Sequence, residues 1–228
     1  MTTKEVYTLL PSIGGSFSLG WKKMFDKFIY LLVIIIISGI VQGPFQSTFK
    51  AESFHFWMVP LIMFGIAWGL LIAPVVKYGE DYLFLKAMRE NDIDIRELFR
   101  GFSEQYLNIV LAHLIVTALI IMGTFILIIP GIIVACRLAF VPYIVMDQEL
   151  DPIKAIERSW QMTRGHGWKI FFMAIISFFL IIGGIICFIV GIFISIMWIH
   201  SAFASLYQSV LNQDLRNNTI PIIEVHEG

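Results

Sequence analysis

Three residues of this sequence carry ligand-holding chemistry inside long apolar runs: Arg137, His113 and His200. Arg137 stands within "IIPGIIVACRLAFVPYIVMD", between a Pro-Gly pair and an acidic patch. A guanidinium stays charged and presents its donors as a fork that matches a phosphate or a carboxylate. At mid-bilayer it costs about 2.5–3.5 kcal/mol on insertion scales, so its presence asks for a reason. It follows Gly131 by six residues, about 9 Å along a helix. Two readings stand. In one, Arg137 snorkels to the outer headgroups or bonds carbonyls freed near Pro130. In the other, it faces the bundle interior beside His200, His113, Thr117, Ser195 and Ser201. There it holds an anion such as a lipid phosphate, or pairs with an acidic residue of a partner. The membrane helices are read as free of Asp and Glu, which leaves no internal counter-ion and favours an external one.

Other chemistry is poorly supplied. No HExxH, GxSxG or P-loop pattern occurs, so no catalytic residue is expected. His113, His166, His200 and His226 are scattered, so no metal site or cofactor is expected. Glu80, Asp81, Glu90, Asp92, Asp94 and Glu97 alternate with basic residues, and the reading is a solvated face in a 77–105 loop. Nucleic-acid binding has no support, because the basic residues are interleaved with acids. Cys136 and Cys187 lack a CxxC partner and read as small packing residues.

The elements that must position these residues follow from composition. Of the 228 residues 58% are hydrophobic and 14% charged, and the mean hydropathy is +0.81. That excludes an ordinary soluble domain of this size. Tyr106 to Met146 spans 41 residues and Gly167 to Leu211 spans 45. A crossing takes about 20 residues, so each is two crossings. The fold class is all-α: one polytopic domain over 1–228, with membrane helices near 28–46, 56–76, 106–129, 131–147, 168–190 and 192–212. Fourteen of the 16 Lys and Arg fall on one side of these crossings, with Lys50 on the other and Arg137 inside. The positive-inside rule then puts both termini in the cytoplasm. The first 20 residues lack a compact apolar core with a cleavage site, so insertion is expected to rely on the first membrane helix.

Each of the three hairpins is expected to follow a short cytoplasmic amphipathic helix, near 12–27, 94–104 and 151–164. Trp21, Phe99, Trp160 and Trp168 are the expected headgroup-layer aromatics. Asp94 and Glu97 form a capping-box pattern, and Asp151 with Pro152 reads as a helix start. Outer turns are expected from Gly43-Pro44, at Pro130-Gly131 and at Gly191; Pro74 and Pro142 are expected kinks. Small residues at four-residue spacing read as helix-packing stripes: Gly65 and Gly69 with Ala73, Cys187 and Gly191 with Ser195, and Ser201 and Ser205 with Ser209. Packing inside one bundle is one reading of Gly65 and Gly69, and a dimer face is the other.

The segments "IIPGII", "RLAFVPYIVMD", "DPIKAIERSWQMTRGHGWKIF" and "SAFASLYQSVL" together resemble a group of bacterial six-helix membrane proteins of uncharacterised function, related to the membrane domain of glycerophosphoryl diester phosphodiesterases. The resemblance runs best from Phe99 to Leu211 and implies a six-helix topology. It places Ala155, Ser159 and Trp160 on the group's cytoplasmic helix. It supplies no activity, and the chain has no room for the phosphodiesterase barrel. The expected function is therefore non-enzymatic: binding or organising lipid, or a protein partner, at the cytoplasmic membrane. A permease or channel module for a small or anionic solute or lipid is the alternative, and a lipid-modifying enzyme the second. Membrane lipids are the expected partners, with a homo-oligomer or a membrane protein partner open.

Overall fold

The computed structural model describes residues 10–48, 59–89, 92–186 and 188–219, so Lys4, Lys50, Glu90, Cys187 and His226 lie outside the described part. Everything described is helix, turn or short connection, with no strand among these residues. Helix α1 (Ile13–Asp26) starts at Ser12, whose hydroxyl accepts from the Gly15 amide at 3.1 Å, as an N-cap residue does. It meets α2 (Phe28–Thr48) at a bend of 96°. Helices α3 (Val59–Leu71) and α4 (Ala73–Met88) form one apolar stretch with a step at Ile72, where Pro74 falls in the first turn of α4. A 3-10 turn (Ile95–Phe99) and a short helix (Arg100–Ser103) lead to α5 (Tyr106–Ile126). Then come α6 (Ile128–Arg137), α7 (Val141–Asp147) and α8 (Pro152–Met162). Helices α9 (Gly167–Ile186) and α10 (Phe188–Thr219) end the fold. Five described stretches are long and apolar enough to cross a membrane, or six if α1 and α2 count as one bent span.

Several boundaries depart from the sequence expectation. Helix α2 runs on through Gly43 and Pro44 to Thr48. The turn between α5 and α6 is at Leu127, extended at φ −162° and ψ 146°, so Pro130 and Gly131 lie in the first turn of α6, where proline costs no bond. Gly191 sits inside α10 rather than in a turn: a Cβ on Gly184 of α9 would fall 2.7 Å from its carbonyl oxygen. Asp94 does cap, accepting from the Arg96 amide at 2.9 Å, but Glu97 pairs with Lys86 instead of closing a capping box. Asp151 makes no cap bond and pairs with Lys154 at 3.2 Å, while Pro152 holds the first helical position.

Helices α4 and α10 make the centre. Leu83, Phe84, Leu85 and Met88 on α4 and Met197, Ala202 and Tyr207 on α10 are fully buried. Helix α1 packs along α10 rather than only skimming a surface. It buries Phe17, Leu19 and Met24, and the Trp198 indole donates to the Phe17 carbonyl at 2.8 Å. Helix α8 buries Pro152, Ala155, Ser159 and Met162 on one face and leaves Lys154, Glu157 and Trp160 outside. Its small buried side chains bring it close to the end of α6. There the Ser159 and Thr163 hydroxyls donate to the Arg137 carbonyl at 2.8 and 3.2 Å. The break after α6 frees that carbonyl, and the hydroxyls satisfy it without water.

Candidate functional site

The first site is an ionic cluster between α4 and α10, and it corrects the reading of Glu80 and Asp81 as part of a solvated face. Helix α4 continues twelve residues past 76, so Lys77, Glu80 and Asp81 belong to a helix and not to a solvated loop. Their i, i+3, i+4 spacing puts all three on one face. Glu80 and Asp81 are 3% and 6% exposed. Lys77 Nζ lies 3.1 Å from Asp81 Oδ1 and 3.6 Å from Glu80 Oε2. His200 of α10 completes the group. Its Nδ1 is 3.1 Å from Asp81 Oδ1, its Nε2 is 3.6 Å from Glu80 Oε1, and Lys77 Nζ lies 3.3 Å from the first ring nitrogen and 3.4 Å from the second.

A second ionic layer lies eight residues further along both helices, about 12 Å away. Arg89 at the end of α4 forks onto Asp147 of α7: Nη1 bonds Oδ1 closely, and Nη2 donates to Oδ2 at 2.9 Å. Arg89 Nε donates to Gln208 Oε1 at 2.6 Å, and the Tyr207 hydroxyl donates to Asp147 Oδ2 at 3.1 Å. Gln148 and Asn212 extend the network. Between the layers stand aromatic rings. Phe84 is 5.1 Å from the His200 ring, Tyr143 stacks on Tyr207 at 5.1 Å, and Phe140 abuts Tyr207 edge-on at 5.5 Å. The interior thus alternates charge, ring, charge.

Arg137 stands apart from both layers. It does not join His200 or His113: His200 is in the ionic cluster, and His113 sits edge-on to Tyr78 at 6.5 Å. Nor does its side chain turn back toward Pro130. Its guanidinium carbon lies 5.7 Å from the centre of the Trp160 ring, a cation–π distance. Nη1 is buried and has no hydrogen-bond partner among the described residues. Ile129, Ile132, Ile133 and Cys136 lie on the same helical stripe as Arg137 and form one wall of a groove of about 510 Å³. Gly165, Gly167, Trp168 and Phe171, at and before the start of α9, form the other. Ile129, Ile133 and Trp168 are exposed, so the groove opens sideways from the bundle. A single cation at one point of a carbon-lined groove can fix the charged end of an amphiphile while its chain lies along the wall.

The small-residue positions lie on helices, and several of them are buried. Gly65 is buried in the chain, and near it the Trp68 indole donates to the Val41 carbonyl at 2.8 Å. Gly69 lies on the same helix, partly buried. Ser195 donates to the Leu180 carbonyl at 3.0 Å, tying α10 to α9. Ser201 and Ser205 are buried, and Ser201 Oγ has no partner among the described residues. Trp21, Phe99, Trp160 and Trp168 are all exposed at the ends of the apolar stretches. Among the described residues no group of three or more His, Cys, Asp or Glu side chains is placed to hold a metal ion. The charged residues of these two layers that sequence reasoning did not bring to a site are Lys77, Glu80, Asp81, Arg89 and Asp147. The signal for the first three was their own spacing, which only a helix turns into one face.

Comparison with curated proteins and with solved structures found no match. Residues 99–215, just over half of the chain, match the family described as Domain of unknown function (DUF7847), and the chain belongs to that family.

Proposed function

We propose that this is a non-enzymatic integral membrane protein that holds an anionic membrane lipid in the groove between α6 and α9, with Arg137 on the lipid phosphate. It crosses the membrane six times as three hairpins, α2 with α3–α4, α5 with α6–α7, and α9 with α10. The short helices α1, 95–103 and α8 precede them on the cytoplasmic side of a bacterial inner membrane. With Lys77 moved to the interior beside Arg137, all but one of the remaining Lys and Arg still fall on that side, which supports cytoplasmic termini.

The observation that carries the lipid reading is the Arg137 Nη1 group, buried without a hydrogen-bond partner among the described residues at the wall of an apolar groove. A buried donor on a charged group is costly to leave unmet. A phosphate oxygen meets it, and the groove volume of about 510 Å³ lies within the range of about 300–1,000 Å³ that encloses small-molecule groups. One charge-assisted bond contributes about 1.5–3 kcal/mol, or about 10- to 150-fold in affinity. Native mass spectra of wild type and Arg137→Leu, each titrated with phosphatidylglycerol, test this. The expected result is retained lipid on wild type and a tenfold or greater loss in the variant, with Arg137→Lys between. Equal retention in all three refutes the reading.

A permease is the second reading, favoured by the buried charges of α4 and α10. It predicts solute or proton flux in liposomes that Asp81→Asn abolishes, with lipid retention at Arg137 unchanged.

A further inference from the structure

The cluster of α4 and α10 serves no purpose in lipid retention at Arg137, which lies elsewhere in the bundle. Its formal charges are one cation, Lys77, against two carboxylates, Glu80 and Asp81, facing a ring that is uncharged when His200 is neutral. That leaves a surplus negative charge among buried atoms, where water is not at hand to screen it. We propose that this cluster is a reversible proton-binding site in the protein interior, with His200 as the acceptor and the Lys77–Glu80–Asp81 face of α4 as its counter-charge.

The geometry supplies what such a site requires. Both ring nitrogens of His200 face a carboxylate, Nδ1 toward Asp81 and Nε2 toward Glu80, so a proton on either finds an acceptor. Uptake of one proton makes the ring an imidazolium and brings the four-residue sum to zero. Lys77 is the competing cation, at 3.3 and 3.4 Å from the two ring nitrogens. Its side chain is 36% exposed against 5% for Glu80 and 9% for Asp81. It alone has room to withdraw when the ring becomes positive, and its exposed edge is the route by which a proton enters. Among the described residues the charged side chains at His200 are Lys77, Glu80 and Asp81. On the elements packed against α10, Lys22 and Lys23 lie on α1, Lys169 donates to the Pro11 carbonyl, and Arg158 pairs with Asp214. Arg89 is engaged with Asp147 and Gln208, and the Tyr78 and Tyr143 phenols are the neutral titratable groups in the field of Asp81.

Proton uptake has a structural consequence. With a neutral ring, α4 presents surplus negative charge to an uncharged partner; with an imidazolium, the two helices carry opposite charges. Acidification therefore tightens the α4–α10 contact. His113 is the internal control, since its aromatic neighbour is Tyr78 and no carboxylate among the described residues is bonded to it.

The test uses the full chain in phosphatidylcholine nanodiscs with ¹⁵N-labelled imidazoles, the His200 signal being assigned by its loss in His200→Gln. The expected result is passage of His200 from neutral ring to imidazolium as the pH is lowered. Its midpoint falls by about one pH unit or more in Asp81→Asn, as about 1.4 kcal/mol of lost attraction requires, and rises in Lys77→Met. Glu80→Gln repeats the fall if Asp81→Asn does not fold. Amide protection along α4 and α10, taken relative to the intrinsic exchange rate at each pH, rises on acidification in wild type and in His113→Gln, but not in His200→Gln. A His200 signal that never changes form, or a midpoint common to all variants, overturns the proposal. So does an acid rise in that relative protection that survives in His200→Gln. Lipid retention at Arg137 is indifferent to every one of these results.

Discussion

Breaking the Arg89–Asp147 fork tests whether the buried charges are coupled as a unit. The two side chains are 18% and 11% exposed, so neither regains full hydration when its partner is removed. Asp147→Leu takes two charge-assisted bonds from Arg89 and leaves Gln208 as the partner named by a remaining bond at 2.6 Å. Two such bonds at about 1.5–3 kcal/mol each set an upper range, and removing one partner of a buried pair costs about 3–5 kcal/mol. Arg89→Met, which leaves Asp147 with the Tyr207 hydroxyl at 3.1 Å, costs slightly less for that reason. The double variant removes both charges and leaves none stranded. Its cost falls below the sum of the single costs by about 2 kcal/mol or more, because the stranded-charge penalty is counted in each single variant only. Reversible unfolding in mixed micelles, read by tryptophan fluorescence, measures all four proteins. Neutral hydrogen bonds between membrane helices average only about 0.6 kcal/mol, so Ser195→Ala, which removes the bond to the Leu180 carbonyl, supplies the small-effect reference. Additive single costs would refute the reasoning and mean that the fork is solvated in the native protein.

Two further outcomes follow from the same contacts. Arg100→Ala costs less than about 1 kcal/mol in the same unfolding assay, because its partners Glu104 and Glu149 are more than half exposed and such pairs contribute little. Gly20→Val costs about 1–3 kcal/mol as overpacking, because a Cβ there falls 2.8 Å from the Ala202 amide nitrogen where α1 crosses α10; trypsin cleavage at Lys22 then quickens as α1 loosens.

What the sequence disclosed and what it hid divide along one physical line. Hydropathy is a local quantity, and the apolar stretches it marks are helical, five of those described being long and apolar enough to cross a membrane. The exposed aromatics Trp21, Phe99, Trp160 and Trp168 were equally local, whereas the buried face of α8, Ala155 and Ser159 with Met162, was not read from the pattern because its side chains are small or polar. The end of α4 was misplaced because a hydropathy profile falls at Lys77 whether the chain leaves the membrane or turns a charged face inward. Only the partner decides, and the partner, His200, is 123 residues away. The same holds for Arg137. Its oddity was legible, but its neighbours Trp160 and Trp168 come from a segment that the sequence assigned to the water interface.

The separation of Arg137 from His200 has a consequence for function. A single polar centre would have forced one choice between anion binding and a charge-lined path. Instead the bundle holds a cation facing a carbon-lined groove on its side, and paired charges sealed by Phe84, Tyr143 and Tyr207 within. In the proposed six-crossing arrangement the groove opens toward lipid, and its occupant would exchange with the membrane. The inner cluster is reached past Lys77, so its occupant is no larger than that side chain's movement admits, and a proton meets that limit. Lipid occupancy and protonation then act on different helices, α6 with α9 and α4 with α10. They communicate through α10, which packs against both α9 and α4, and through α5, which packs against both α6 and α4. A lipid effect on the His200 titration would travel along either helix, and loss of the Ser195–Leu180 bond between α9 and α10 would weaken the first route alone.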